Sequence, residues 1–179
     1  MNKINENDKM NFLYDLKSKE NMHLYYAFKG RFDYTIEDKD QKIKLIQASI
    51  KDFINKYDFI VYPESSSKFI EEVIEVFEIK KIKVKKRSIE SAIKYFEGLK
   101  LQKKERESHL EKLMSMKDVF QINKMKATQR NKYESIIFEE VNLPEGKGLL
   151  IDDSYFSGTT YRGLIEKTGE MDFLAIFAK

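Results

Sequence analysis

Two adjacent acids, Asp152 and Asp153, follow the apolar run Leu149-Leu150-Ile151, and a few residues later come Ser157, Gly158, Thr159 and Thr160. Each half of this stretch has its own chemistry. A carboxylate accepts hydrogen bonds from neighbouring hydroxyls, as on a ribose ring, and repels a phosphate. A small-hydroxyl loop at the start of a helix does the reverse. Its free backbone N–H groups and the positive end of the helix dipole attract an anion, and a glycine lets the ligand come close. Together the two halves suit a ligand with both a diol and a phosphate, the acids on the sugar and the loop on its 5′-phosphate. Two plainer readings stand beside this one. An aspartate can simply cap a helix next to an ordinary Ser/Thr/Gly loop, or the acid pair can bind a metal directly.

Such a pair must be carried to one place by the elements around it. "LLI" predicts a buried strand ending at Asp152 and Asp153, and a helix begins over Thr159–Lys167. "FIVY" (59–62), stopped by Pro63, predicts another buried parallel strand. The polar loop after it, Glu64-Ser65-Ser66-Ser67-Lys68, offers hydroxyls, a cation and N-caps to a helix carrying Phe69, Ile70, Val73, Ile74 and Phe77. Ile79, Ile82 and Val84 alternate with lysines in a further strand, and "MDFLAIFAK" closes the chain as the last. Ile43, Ile46, Ile50, Phe53 and Ile54 have the three-and-four spacing of an amphipathic helix over 38–57, with Asp38 or Asp40 as N-cap. Residues 1–20 predict a short helix at a loose terminus. The aromatic segment 22–36, broken by Gly30, predicts two short strands or a strand and turn. Residues 88–133 contain no proline and predict a long helical insertion.

Strands alternating with helices predict an α/β fold in three layers, a mostly parallel twisted sheet flanked by helices, in one domain over 1–179. In such sheets ligands bind beyond the carboxyl ends of the strands. That edge would hold both polar loops.

"LLIDDSYFSGTTYRGL" resembles the phosphoribosyl-pyrophosphate (PRPP) motif of the type I phosphoribosyltransferases. Leu149, Leu150 and Ile151 match its strand, Asp152 and Asp153 its acid pair, and Ser157, Gly158 and Thr160 its phosphate loop. Phe156 stands where that family has a small hydroxyl residue, and Ser154 where it has an apolar one. The likeness extends in order over roughly 55–179. "FIVYPESSSK" sits where the family has its pyrophosphate loop, "VKKRS" where basic residues reach the pyrophosphate, and 88–133 where a flexible loop closes. Residues 1–54 would be the variable hood. The resemblance implies that Asp152 and Asp153 hold the ribose hydroxyls and Ser157, Gly158, Thr159 and Thr160 the 5′-phosphate. Ser65, Ser66, Ser67 and Lys68, with Lys86 and Arg87, would face the pyrophosphate. It implies a Mg²⁺ ion borne mainly by the substrate, and pentosyl transfer from PRPP to a nucleobase or amine acceptor with release of pyrophosphate. The acceptor is not legible.

The alternative is a non-catalytic protein of the same fold that binds a nucleotide or nucleic acid. Lys100, Lys103, Lys104, Arg106, Lys124, Lys126, Arg130 and Lys132 cluster in the insertion, with Phe120, Tyr133 and Phe138 among them. A solvated helix face laced with glutamates explains the same bases, and a strand face explains "KKIKVKKR". Nucleic acid is therefore the less favoured partner, and a dimerisation arm in 88–133 stays open. The net charge of +3 over 179 residues is too small to argue for nucleic acid. With no cysteine there is no disulfide, thiolate site or cysteine nucleophile. His23 and His109 read as surface or packing residues. The polar start and the lack of an apolar run of about 20 residues predict a cytoplasmic protein with no membrane partner.

Overall fold

The computed structural model describes residues 4–7, 10–31, 34–98, 102–116, 120, 125 and 127–179. By its internal contacts the chain divides into two compact units. The first comprises Met1–Lys83, Leu143–Ser157 and Glu170–Lys179, and the second Val84–Asn142 and Gly158–Gly169.

The first unit is built on the sheet. Its strands are β1 (Asn5–Asn7), β2 (Met10–Asp15), β3 (Phe59–Pro63), β4 (Lys80–Val84), β5 (Gly148–Tyr155) and β6 (Asp172–Ala178), in the order β1-β2-β6-β5-β3-β4. Five of them run parallel, and only the edge strand β1 is antiparallel, to β2. The architecture is therefore α/β with an open parallel sheet flanked by helices, as the alternation of elements predicts. Both faces of the central strands are apolar, which a parallel sheet requires. Ile60, Leu149, Ile151, Leu174 and Ile176 pack with α2 (Lys39–Ile54) and α3 (Phe69–Ile74). The alternate residues Val61, Leu150, Phe173 and Ala175 are buried as well. In α2 the buried residues are Ile43, Ile46, Ile50 and Ile54, one stripe at helical spacing. Asp38 is its N-cap, in a left-handed conformation and without a side-chain capping bond.

Two expectations for the N-terminal segment are corrected. Asn5–Asn7 and Met10–Asp15 form strands, not a helix: β2 pairs in parallel with β6, and Asn11 Nδ2 donates to the Phe173 carbonyl at 3.2 Å. Residues 19–28 form helix α1 (Lys19–Phe28) rather than strands. Ser18 caps it by accepting from the Asn21 N–H. Gly30, which looks like a hairpin turn in the sequence, ends this helix. With φ near +59°, its N–H donates to the Ala27 carbonyl while the Arg31 N–H donates to that of Tyr26. This double bond pattern is a Schellman termination. The described part of 1–54 thus supplies two strands, β1 and β2, to the sheet and two helices to its core.

The second unit holds α4 (Ile89–Gly98), α5 (Lys103–Met114), a 3-10 helix over Ala127–Ile136 and α6 (Thr159–Thr168). Its core contains Phe96, Leu113, Phe120, Tyr133 and Phe138, all essentially without exposure. His109 is packed among them, its ring 5.0 Å from that of Phe96. Its Nδ1 is hydrogen-bonded to the Tyr133 hydroxyl, and its Nε2 lies 3.6 Å from Glu105. Burial lowers the His109 pKa. Glu105 opposes that shift, while Lys132 and Lys112 add to it. In the unfolded chain the ring takes up a proton near its ordinary pKa of about 6.5. The folded ring resists protonation, so the unfolded state binds more protons and stability falls as pH drops below that value. The melting temperature is expected to fall more between pH 7.5 and 5.5 for the wild-type chain than for His109→Gln. Equal slopes would remove His109 as the cause.

Candidate functional site

The order of the sheet places a divergence between β3 and β5. From β3 the chain proceeds outward to β4, and from β5 it proceeds the other way to β6. Neighbouring parallel strands whose connections part in this way open a crevice at their carboxyl ends. β3 is followed by Glu64–Lys68, and β5 carries Asp152 and Asp153.

β5 is longer than the sequence suggests. It continues through the acids to Tyr155, with Asp152 beside Ala175 and Ser154 beside Phe177 of β6. Because the pleat alternates, consecutive residues leave the strand on opposite sides. Asp153 shares the side of Leu149 and Ile151, which is the α1 side. Each acid is only 6% exposed. Two carboxylates so placed need compensation. The Asp153 N–H donates to Asp152 Oδ1 at 2.8 Å. Ser154 Oγ donates to Asp153 Oδ1 at 2.7 Å and lies 3.4 Å from the Tyr25 hydroxyl. Asp153 Oδ2 forms an ion pair with the ammonium of Lys29, whose side chain is 12% exposed.

This cation is the group that sequence reasoning missed. Lys29 is the C-cap of α1, one residue before Gly30. The same helix supplies Tyr25, 6% exposed, whose phenol pKa is raised chiefly by burial and further by the charge of Asp153, with Ser154, Lys29 and Arg31 opposing. The Phe156 ring meets Tyr25 edge-on, with centroids 5.4 Å apart, and keeps 44% of its surface exposed. One signal could have located the helix. Ser18 precedes Met22, Tyr25 and Phe28 at intervals of three, the pattern of a capped amphipathic turn.

The loop after β3 is tied to the same helix. Ser67 Oγ donates to the Phe28 carbonyl at 3.3 Å and accepts at 3.2 Å from the N–H of Phe69, the first residue of α3, whose N-cap is Lys68. Ser65 Oγ accepts from the Ser67 N–H at 3.3 Å. Ser66 and Lys68 are exposed. The structure therefore brings Asp153, Ser67 and the end of α1 into one hydrogen-bonded frame within the first unit, to which Asp152 and Ser157 also belong.

The remaining sequence candidates lie in the second unit. Gly158 has φ near +70°, a conformation that favours glycine, and its carbonyl accepts from the Arg162 N–H at 2.8 Å as α6 begins. Thr159 is buried and Thr160 half-buried. Lys86 forms an isolated bridge with Phe138. Arg87 donates from Nη1 to Ser91 and from Nη2 to the Phe138 carbonyl, and its guanidinium stands 5.6 Å from the Tyr95 ring centre. These contacts fix Arg87 inside its own unit.

The basic insertion is laced with acids. Lys132 pairs with Glu105 at 3.0 Å, and Lys103 stands 4.0 Å from Glu107. Arg130 Nε donates to the Met125 carbonyl. Lys100, Lys124 and Lys126 lie outside the described residues. Phe120, Tyr133 and Phe138 are fully buried and offer no open face for stacking bases. Among the described residues no group of three or more His, Asp or Glu could hold a metal ion, and no helix is long and apolar enough to cross a membrane. No protein-family model matches the chain, and no curated protein matches it in sequence.

Proposed function

We propose that the chain binds a ribose 5-phosphate group, as in Mg²⁺-PRPP, and transfers it to a nucleobase or amine acceptor as a phosphoribosyltransferase-like protein. One observation carries this reading. A buried acid pair stands in the carboxyl-terminal half of the central parallel strand, beside the divergence of β3 and β5, and runs on in sequence into Ser157-Gly158-Thr159-Thr160. In this reading the acids accept from the 2′- and 3′-hydroxyls and the Ser/Gly/Thr segment takes the 5′-phosphate. Mg²⁺ would be held mainly by pyrophosphate and ribose oxygens, with few protein ligands. In the reaction the acceptor nitrogen bonds to the anomeric carbon as the bond to pyrophosphate breaks. The electron pair leaves with pyrophosphate and the acceptor loses its proton. Binding, orientation and exclusion of water would supply the catalysis, without a protein nucleophile.

The test is thermal. A ligand present at a hundred times its Kd stabilises the folded state by about 2.7 kcal/mol. Millimolar Mg²⁺-PRPP is expected to raise the melting temperature of the wild-type chain, and Asp152→Asn to abolish the rise. No shift for the wild type sinks the reading.

A second reading keeps the binding and drops the chemistry, so that the protein is a non-catalytic nucleotide or PRPP binder. The ion pair on Asp153 and the exposed Phe156 in place of a small hydroxyl residue favour it. Incubation with Mg²⁺-PRPP and a panel of bases separates the two: a thermal shift without pyrophosphate release selects the binder.

A further inference from the structure

We propose that Lys29 is the positioning residue of the acid pair, an internal cation that lets it receive a phosphorylated ribose without a divalent metal bridging the carboxylates. The inference rests on the ribose-phosphate reading of Asp152 and Asp153, and deepens it by assigning the counter-charge.

Two buried carboxylates on consecutive residues carry a charge of about −2, which repels a phosphate and attracts a divalent cation. In this chain a cation is already in place. The Lys29 ammonium holds Asp153 Oδ2 while Ser154 holds Oδ1. Both oxygens of Asp153 are thus oriented from the protein side, and the ammonium offsets the charge of that carboxylate.

The lysine is also held firmly. Its backbone is the C-cap of a helix closed by the paired bonds at Gly30 and Arg31. The preceding residue, Phe28, is 6% exposed, lies 4.2 Å from the Phe69 ring and accepts from Ser67. A cation at the carboxyl end of a helix is further favoured by the dipole. A solvated lysine that met Asp153 by chance would have none of these constraints. An ammonium also differs from a metal ion in what it asks of its partners. It donates three hydrogen bonds and needs no cage of oxygens. A Lys29 bonded to Asp153 therefore retains donors for a ligand oxygen.

The full-length chain is titrated calorimetrically with ribose 5-phosphate, first in EDTA and then in Mg²⁺. Ribose 5-phosphate lacks the pyrophosphate that would bring its own metal. The wild type is expected to bind equally in both, within about twofold. Lys29→Ala is expected to weaken binding in EDTA on the order of tenfold. Propylammonium, which replaces the missing end of the side chain, should restore much of the loss, and Lys29→Arg should retain most of the affinity. A wild type that binds only with Mg²⁺ overturns the proposal whether or not any variant folds. So does a folded Lys29→Ala that binds like the wild type, or one whose loss neither Lys29→Arg nor the amine relieves. A wild type that binds neither ribose 5-phosphate nor Mg²⁺-PRPP overturns the ribose-phosphate reading itself, and the role of Lys29 with it.

Discussion

Phe177→Ala is expected to lower the unfolding free energy by about 4 kcal/mol, within the range for removing a fully buried phenylalanine. Phe177 lies near the end of β6, without solvent exposure. Its ring is 5.2 Å from that of Tyr14, 5.5 Å from Tyr25, 6.0 Å from Phe69 and 6.4 Å from Phe28. It thus joins β2, α1 and α3 to the sheet. Its backbone lies beside Ser154, so the same ring backs the strand that carries the acid pair. Truncation leaves a cavity walled by four aromatic rings, and rings held on a strand and two helices collapse into it poorly. Urea unfolding followed by tyrosine fluorescence would measure the loss, since the chain has no tryptophan. The midpoint should fall with little change of slope. Phe156→Ala is the control: that ring is 44% exposed, and its removal is expected to cost no more than about 0.5 kcal/mol. A Phe177→Ala loss of under about 1.5 kcal/mol would show that this cluster does not organise the unit.

The elements that were legible in the sequence are those whose burial is written locally. β3, β6 and the Leu149-Leu150-Ile151 part of β5 are apolar runs, as buried parallel strands require. α2 shows its stripe of isoleucines because one face alone is buried. β2 and α1 failed for opposite reasons. "NFLYD" has no period-two pattern, and its place in the sheet is set by β6, more than 160 positions away. α1 mixes the helix formers Lys19, Glu20, Met22, Leu24 and Ala27 with the aromatic residues Tyr25, Tyr26 and Phe28, which suit a strand equally well, so local composition does not decide between the two. Gly30 in an aromatic segment suits a turn between strands, and glycine serves a helix end just as well. The acid pair and the Ser/Gly/Thr segment are contiguous, so as a candidate site they stand out in the sequence. Their counter-charge does not, because Lys29 and Asp153 are separated by 124 positions and meet only once α1 is placed correctly. The strand end was misjudged for a related reason: acids are poor strand formers on propensity, yet β6 pairs with β5 as far as Tyr155.

That pair also bears on stability, apart from any ligand. Lys29 and Asp153 have side chains only 12% and 8% exposed. Removing one partner of a buried pair strands the other charge in a poorly solvated place, and Lys29→Met is expected to cost about 3 kcal/mol. Methionine keeps the length and apolar stem of lysine, so the loss measures charge more than packing. Asp153→Asn strands the ammonium instead and is expected to cost a similar amount. In the double variant Lys29→Met/Asp153→Asn neither charge is left behind, so the combined loss should fall below the sum of the two by about 2 kcal/mol. The exposed pair Lys94–Glu90, with side chains 72% and 80% exposed, provides the contrast: Lys94→Met should leave the unfolding midpoint unchanged. If the single and double losses simply add, Lys29 and Asp153 are solvated separately in solution. Lys29 would then not offset the charge of Asp153, and the counter-charge for an approaching sugar phosphate would have to come from elsewhere.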